Sequence, residues 1–579
     1  MNIGHSLLVI WWIVLLPTAN SQSDARQTGA QTLDKLSADF WTWRAQYAPF
    51  TGDDVNRMER PGGVRDWSRA KIDSHRRDLA QFEERWKKIE PPSQRSGEPG
   101  INGWPIPKQV DYKLIGSALS RVRWELDINP RWKRDPTFYI EQTLTPVVEA
   151  LTVPAPYDEK RSREILTRIE NIASILQQGE ANLEKPPAPF ATVTIQALDG
   201  VRERLHKTAS ALLGATTLKE QELNSATDRA ADALEHFRKK IQEQLPSLPK
   251  ETALGRDAYI FFLKNVGLYP YSPEQLLAMG RQEWDRAVAF ETYEKERNRE
   301  IPPLSLAKDT ESWIKDAAAK ELQIREFLDK RRILTVPDWM QHYTLQPMPG
   351  YLHALEGFGE TDDFTSPSRL KENCIRYVDP PSANLGYFWR ATSQDPRPIT
   401  VHEGIPGHYF QLCLSWKHED PIRRHYYDSG ANEGIGFYAE EMMLQAGLFD
   451  PATAGHTREI IYNFMRLRAL RVEVDVKLAL GQFTLEQAAK YLEEKVPMDP
   501  GTARQEAIAF STGPGQALTY QIGKLQITKF LAEARLQQGE KFNLRAFHDF
   551  VWKNGNVPIA LQRWEYLGLD DEGPMISGQ

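Results

Sequence analysis

The chain is poor in cysteine: Cys374 and Cys413 are the only two among its 579 residues. A scaffold stapled by several disulfides is excluded, and two residues that could pair or stay as buried thiols do not fix the redox compartment. A basic excess is also missing. With a formal charge of −7, a pI near 6.0 and no long run of one sign, the chain lacks the electrostatic footprint of a nucleic-acid-binding protein. Long hydrophobic runs are equally scarce. The uncharged stretch Leu7 to Leu16 has ten residues, whereas about 20 are needed to span a bilayer. No Gly-x-Ser-x-Gly elbow, Gly-x-x-x-x-Gly-Lys-Ser/Thr phosphate loop or repeat of fixed period occurs, which removes serine-esterase, P-loop and solenoid readings.

What is present begins with an export pattern. Leu7 to Leu16 is followed by Pro17 and the small-residue site Ala19-Asn20-Ser21, which reads as a secretory signal cut after Ser21, although residues 2–6 carry no Lys or Arg. The expected mature chain is periplasmic or secreted, without a stable membrane span, with a flexible leader at 22–34 and a tail at 571–579. Its 41% hydrophobic and 26% charged composition is that of a globular protein.

Helical periodicity dominates. Amphipathic patterns run from Leu33 to Gln46 and Arg69 to Lys88, then over 111–127, 158–178, 193–213, 221–243, 273–299 and 307–330. Prolines fall mainly between them, and the turn-rich stretch Glu90 to Pro107 reads as a loop. Between 333 and 400 short β-branched and aromatic runs separated by Pro and Gly predict a small irregular sheet. Helices resume at 457–480, 484–494, 503–538 and 543–554. The expectation is a mainly α fold, with a helical half at 35–332, a small β region at 333–400 and a second helical half at 401–570.

Residues 402 to 411, HEGIPGHYFQ, raise the chemical question. A hydrolytic zinc ion needs three protein ligands, a position left open for water, and a carboxylate that takes the water's proton. His402 and His408 are candidate ligands, and Glu403 is the candidate general base. Glu433 in NEGIGFYAEEM, opening another helix about two dozen residues later, is the candidate third ligand, the usual arrangement in glutamate-type zincins. The spacing is unusual. Histidines four apart lie about 40° apart around a helix, whereas six apart lie about 120° apart. Either Gly404, Pro406 and Gly407 end the helix and the histidines make ordinary polar contacts, or Pro406 and Gly407 let it bulge and return His408 to the metal face.

Together, HEGIPGHYFQ, NEGIGFYAEE, TGPGQALTYQIGK, FHDFVWKNGNVPIALQ and the early YAPFTGDD and RPGGVRDWS resemble successive signature segments of the bacterial domain of unknown function 885 family, over about residues 35 to 570. The resemblance implies a largely helical, zincin-like fold similar to thermostable carboxypeptidases and oligopeptidases, with His402, Glu403, His408 and Glu433 at the metal-site positions. It also implies a groove suited to short peptides. The chain departs from the pattern in two places. Where the family commonly reads EGWALYAE, Ile435 and Gly436 replace the tryptophan and alanine; where it reads Val-Asp-Thr-Gly-Leu-His, Lys477 and Ala479 replace the glycine and histidine.

Other candidates surround this set. Tyr520 either donates a hydrogen bond to a tetrahedral oxyanion or packs beside its loop. His548 reads as a capping or core residue first and as such a donor second. Arg471 and Asp475, four apart on one helix, read as an ion pair, with a contact to a substrate carboxylate as the second role of Arg471. Tyr387 either lies on a strand that aligns an extended peptide or simply packs. Gln516, in the glycine-bearing stretch before Tyr520, is a further substrate-binding candidate. Cys413, in the apolar run YFQLCLSW, reads as an inert core thiol. The reading is an exported Zn²⁺-dependent peptidase acting on short peptides. Lys477 and Ala479 motivate an alternative, a non-catalytic periplasmic protein that binds a peptide or partner.

Overall fold

Where apolar residues recur every three or four positions, the chain is helical. The computed structural model describes residues 19–50, 59–61, 64–89 and 104–576; the run Leu7 to Leu16 and most of the loop from Glu90 lie outside them. The elements that position the site are α1 (Ala19–Tyr47), α2 (Pro136–Thr152), α3 (Pro273–Arg297), strands β1 (Tyr343–Pro347), β2 (Asp362–Asp363) and β3 (Cys374–Val378), α4 (Tyr387–Gln394), α5 (His408–Trp416), α6 (Ser429–Ala446), α7 (Pro451–Ala479), α8 (Pro500–Thr512), α9 (Thr519–Gln538) and α10 (Leu544–Lys553). The fold is mainly α. No helix among the described residues is long and apolar enough to cross a membrane.

Several boundaries differ from the periodicity. The expected leader at 22–34 is part of α1, a proline-free stretch rich in helix-forming residues, and Leu33 and Leu36 at its end are buried. The expected tail holds a short helix, Gly573–Ile576, whose Ile576 enters the core. The pattern at 193–213 is two helices, because Gly200 between them adopts φ +64. Helix α2 escaped notice altogether. Most of its residues are buried, so no polar face marks a period, and Pro146 lies inside it.

The sheet has the order β1-β3-β2. Strand β1 runs parallel to β3 with Tyr343 opposite Cys374, and β2 pairs antiparallel with Asp362 opposite Arg376. Cys374 and Cys413 are buried free thiols in the core around this sheet. Helices α6 and α9 cross backbone to backbone: a Cβ on Gly434 would lie 2.7 Å from Gly523 Cα, and one on Gly523 would lie 2.2 Å from the Gly430 carbonyl oxygen. Beside that crossing Lys524, 1% exposed along its side chain, reaches Glu283 of α3 at 2.9 Å and Glu441 of α6 at 2.8 Å. A buried ammonium is tolerable only when paired in this way, so the network ties three helices in one arrangement.

Candidate metal centre

His402 and Glu403 sit on a widened turn, Thr400–Gly404, closed by the Ile405 N–H donating to the Thr400 carbonyl at 2.9 Å. The helix then breaks instead of bulging through. Ile405 is extended, the Ile405–Pro406 peptide is cis, and His408 opens the new helix α5. The physical reason lies in the two residues between. Pro406 has no N–H to continue the ladder. Gly407 passes so close to the preceding turn that a Cβ there would lie 1.7 Å from the His402 carbonyl oxygen. Trp552 of α10 donates its indole N–H to the Pro406 carbonyl at 2.6 Å and fixes this corner.

The break, together with α6, brings three side chains together. His408 Nε2 is 3.0 Å and His402 Nε2 3.5 Å from the same Glu433 oxygen. Both imidazoles and the carboxylate are buried. Ligand atoms placed about 2.1 Å from a common tetrahedral centre are about 3.4 Å apart, so these separations and the two-nitrogen, one-oxygen donor set fit a zinc-sized cation. That Glu433 oxygen accepts no well-formed hydrogen bond although it is buried, as expected of an atom reserved for a cation. Gly436 makes room for the ring pair: its Cβ would stand 3.0 Å from His408 Cε1 and 3.2 Å from His402 Cε1. A second cluster, His353, Glu356 and Asp379, is mostly exposed.

The charges are arranged around this triad. Burial alone would raise the Glu403 carboxyl, but His408, His402 and Arg376 outweigh it and hold it below the usual range; Arg376 lies 3.8 Å away. Burial likewise opposes the charge on Glu433, which His408 and His402 pull well below its ordinary value. For His402 burial disfavours the cation, yet Glu433 and Glu440 raise its pKa to about 9. Glu440 escaped the sequence reading. It lies 2.7 Å from His402 Nδ1, orienting the ring from behind as carboxylates do for metal-bound histidines. Its signal was its place seven residues, two helical turns, after Glu433 on α6. Behind it Arg468 Nη2 is 3.7 Å away. Glu440→Gln is expected to weaken zinc affinity about 10- to 100-fold with the fold retained; unchanged affinity in a competition titration would remove Glu440 from this role.

Tyr520, near the start of α9, stacks on His402 with ring centroids 6.0 Å apart and planes at 9°. Burial, then Glu433, push its phenol up, so it stays protonated and able to donate.

The remaining candidates fall elsewhere. Tyr387 is not on a strand but opens α4, where its hydroxyl donates to Asn463 and its ring packs against Phe388 and Phe464. Arg471 does not pair with Asp475. Its guanidinium makes a two-pronged contact with Glu506 at 2.7 and 2.6 Å and lies 4.5 Å from the Tyr520 ring centroid. The Asp475 carboxylate instead accepts the Gly515 and Leu518 N–H groups at 2.9 and 3.2 Å and the Tyr259 hydroxyl at 3.0 Å; loop amides outcompeted the helix neighbour. Gln516 lines a cavity whose walls include none of the triad. Lys477 contacts Glu473 at 2.5 Å, and Ala479 packs in the cluster of Tyr259, Val476 and Ile522, eight residues or about 12 Å along α7 from Arg471.

His548 is a core residue rather than an oxyanion donor. Its ring joins the Ile333 carbonyl at 2.9 Å to the Tyr438 hydroxyl at 3.0 Å, and burial lowers its pKa from 6.5 to about 4. A histidine held neutral contributes stability that is present above pH 6.5 and lost as pH falls through about 4, a change of about 3 kcal/mol. Urea unfolding between pH 7 and pH 4 should accordingly show a flatter profile for His548→Gln than for the wild type; parallel profiles would show that His548 is not the group responsible.

Fold and site together define a mainly helical protein with a buried His-His-Glu triad suited to a divalent cation. The chain belongs to the family of bacterial proteins of unknown function DUF885, whose model matches residues 50–564. Among solved structures it is similar to a candidate lipoprotein of unknown function from Shewanella oneidensis, with a TM-score of 0.69 and 17% identity over 92% of this chain and 98% of that one. A candidate lipoprotein from Colwellia psychrerythraea gives a TM-score of 0.69 at 16% identity, over 94% and 98% of the two chains. Among curated proteins, none matches this chain.

Proposed function

We propose that this protein is an exported zinc-dependent peptidase that hydrolyses short peptides. The observation that carries the reading is the meeting of two imidazole nitrogens on one buried Glu433 oxygen, with Glu403 next to the first histidine and Glu440 behind it. His402, His408 and Glu433 would hold the ion. Bound zinc supplies a Lewis acid that polarises the carbonyl and acidifies water. Glu403, kept ionised by its cationic neighbours, takes the water's proton and delivers it to the leaving amine. Tyr520 is on hand to donate to the developing oxyanion. A zincin-like ancestry agrees with this ligand set. Export is supported by the apolar run before residue 20 and by the description of both structural relatives as lipoproteins.

Metal analysis of the purified protein and its digestion of a mixed peptide library test the reading. One zinc per chain with cleavage that a chelator removes and zinc restores is the expected result. Zinc without cleavage points instead to a peptide- or partner-binding protein that retains the metal site, and absence of any bound metal sinks both metal readings.

A further inference from the structure

A cavity of about 240 Å³ lies between the N-terminal helices and the loop that joins α8 to α9. Its walls are aromatic, formed by Trp67, Trp124, Trp132 and Phe138. Trp67 and Phe138 meet edge to face, with centroids 4.9 Å apart at 79°. Charges in the wall are matched to one another. Arg44 reaches the two oxygens of Glu125 at 2.7 and 2.5 Å, and Arg131 those of Glu141 at 2.8 and 2.7 Å; Arg121 lies over the Phe262 ring at 5.2 Å. Such a lining favours a neutral ligand, because a charge would be desolvated among pairs that already close on themselves.

Two carboxamides are left over. Asn129 and Gln516 both line the cavity, and among the described residues neither side chain hydrogen-bonds to another residue. The Trp67 indole N–H is also buried without an acceptor. Each carboxamide offers one acceptor and a donor pair, the complement of a peptide group. The volume is below the roughly 300–1,000 Å³ of sites for drug-sized ligands, so it holds one ring and little beyond it.

We propose that this cavity is a subsite for one aromatic side chain of a peptide, with Asn129 and Gln516 hydrogen-bonding the adjoining peptide group. Ring-on-ring contact selects an aromatic over an aliphatic side chain, since the walls present both faces and edges. The identity of the ligand as a peptide rests on the peptidase reading. The subsite communicates with the triad through a short stretch of chain: the Gln516 carbonyl accepts the Thr519 N–H at 3.2 Å and its hydroxyl at 2.6 Å, and Tyr520 follows, stacked on His402. Asp475 anchors the same loop at Gly515 and Leu518.

Calorimetric titration of the full-length Glu403→Gln protein tests this, with N-acetyl-L-phenylalaninamide, N-acetyl-L-alaninamide and glucose as probes. The phenylalanine amide is expected to bind at least about tenfold more tightly than the alanine amide, and Gln516→Ala and Asn129→Ala each to weaken it about tenfold, the loss of one hydrogen bond. Both variants remove side chains that bond to no other described residue, and circular dichroism of each checks that the fold is retained. Glucose binding in place of the aromatic amide, binding that neither variant changes, or no binding by folded protein would each overturn the subsite. Peptide cleavage by the wild type is scored separately. Cleavage without aromatic binding overturns the subsite alone, whereas aromatic binding without cleavage supports the subsite and removes the peptidase reading.

Discussion

Glu403→Gln is expected, on the proposed zinc-peptidase mechanism, to lower peptide cleavage by about a thousandfold, within the span that general-base catalysis commonly contributes, while leaving zinc content unchanged. Glutamine keeps the shape of the side chain and can still face Arg376 at the distance seen for the carboxylate, 3.8 Å. What it loses is the carboxylate that the proposed mechanism uses to take a proton from water and return it to the amine. The three proposed ligands are separate residues, so the metal content should not fall. Cleavage within tenfold of the wild type, with zinc retained, would assign the base to another group. Joint loss of zinc and cleavage would mean that Glu403 is needed to build the site rather than to transfer protons.

Gly407→Ala is expected to be the most destructive single methyl group in the site. The added Cβ would sit 1.7 Å from the His402 carbonyl oxygen, 2.4 Å from its carbon and 2.5 Å from the Val401 oxygen. All three are backbone atoms of the turn that presents His402 and Glu403, so relief requires that turn to move. A cost above about 4 kcal/mol, in the range reserved for exceptional substitutions, is expected in urea unfolding, together with loss of stoichiometric zinc. Gly447→Ala is the control. Gly447 ends α6 at φ +95 with nothing within 4 Å of its would-be Cβ, so only backbone strain of about 1 kcal/mol is at stake. Equal, small effects for the two variants would refute the steric account.

The long helices were legible because each buries one stripe and exposes the other: α3, Glu220–Gln244 and Thr310–Lys330 follow their apolar periods closely. Helix α2 was not, because it is buried around most of its circumference. Proximity of His402, His408 and Glu433 was legible from residue type and from the family resemblance, although the six-residue spacing left the route by which it arises open. A bulged single helix was one way to bring six-residue spacing together; a break with a fresh helix starting at His408 is another, and the corner it makes is held by Trp552, 146 residues from Pro406. Partner choice was the least legible feature. Arg471 had Asp475 within one turn, yet Glu506, 35 residues on, took its guanidinium. Tyr387 was likewise offered a strand by local texture, while Asn463 decided its role; His548, read first as a capping or core residue, is held in the core by Ile333 and Tyr438.

The contact of Gly434 with Gly523 has a mechanical consequence. With no side chain between α6 and α9 there is no compressible layer at their crossing, so the carboxylate on one helix and the phenol on the other move as a single block. Any relative motion of the helices must then run along a different seam, where side chains rather than main chains meet. Amide protons at the glycine crossing should therefore be among the slowest in the molecule to exchange with deuterium.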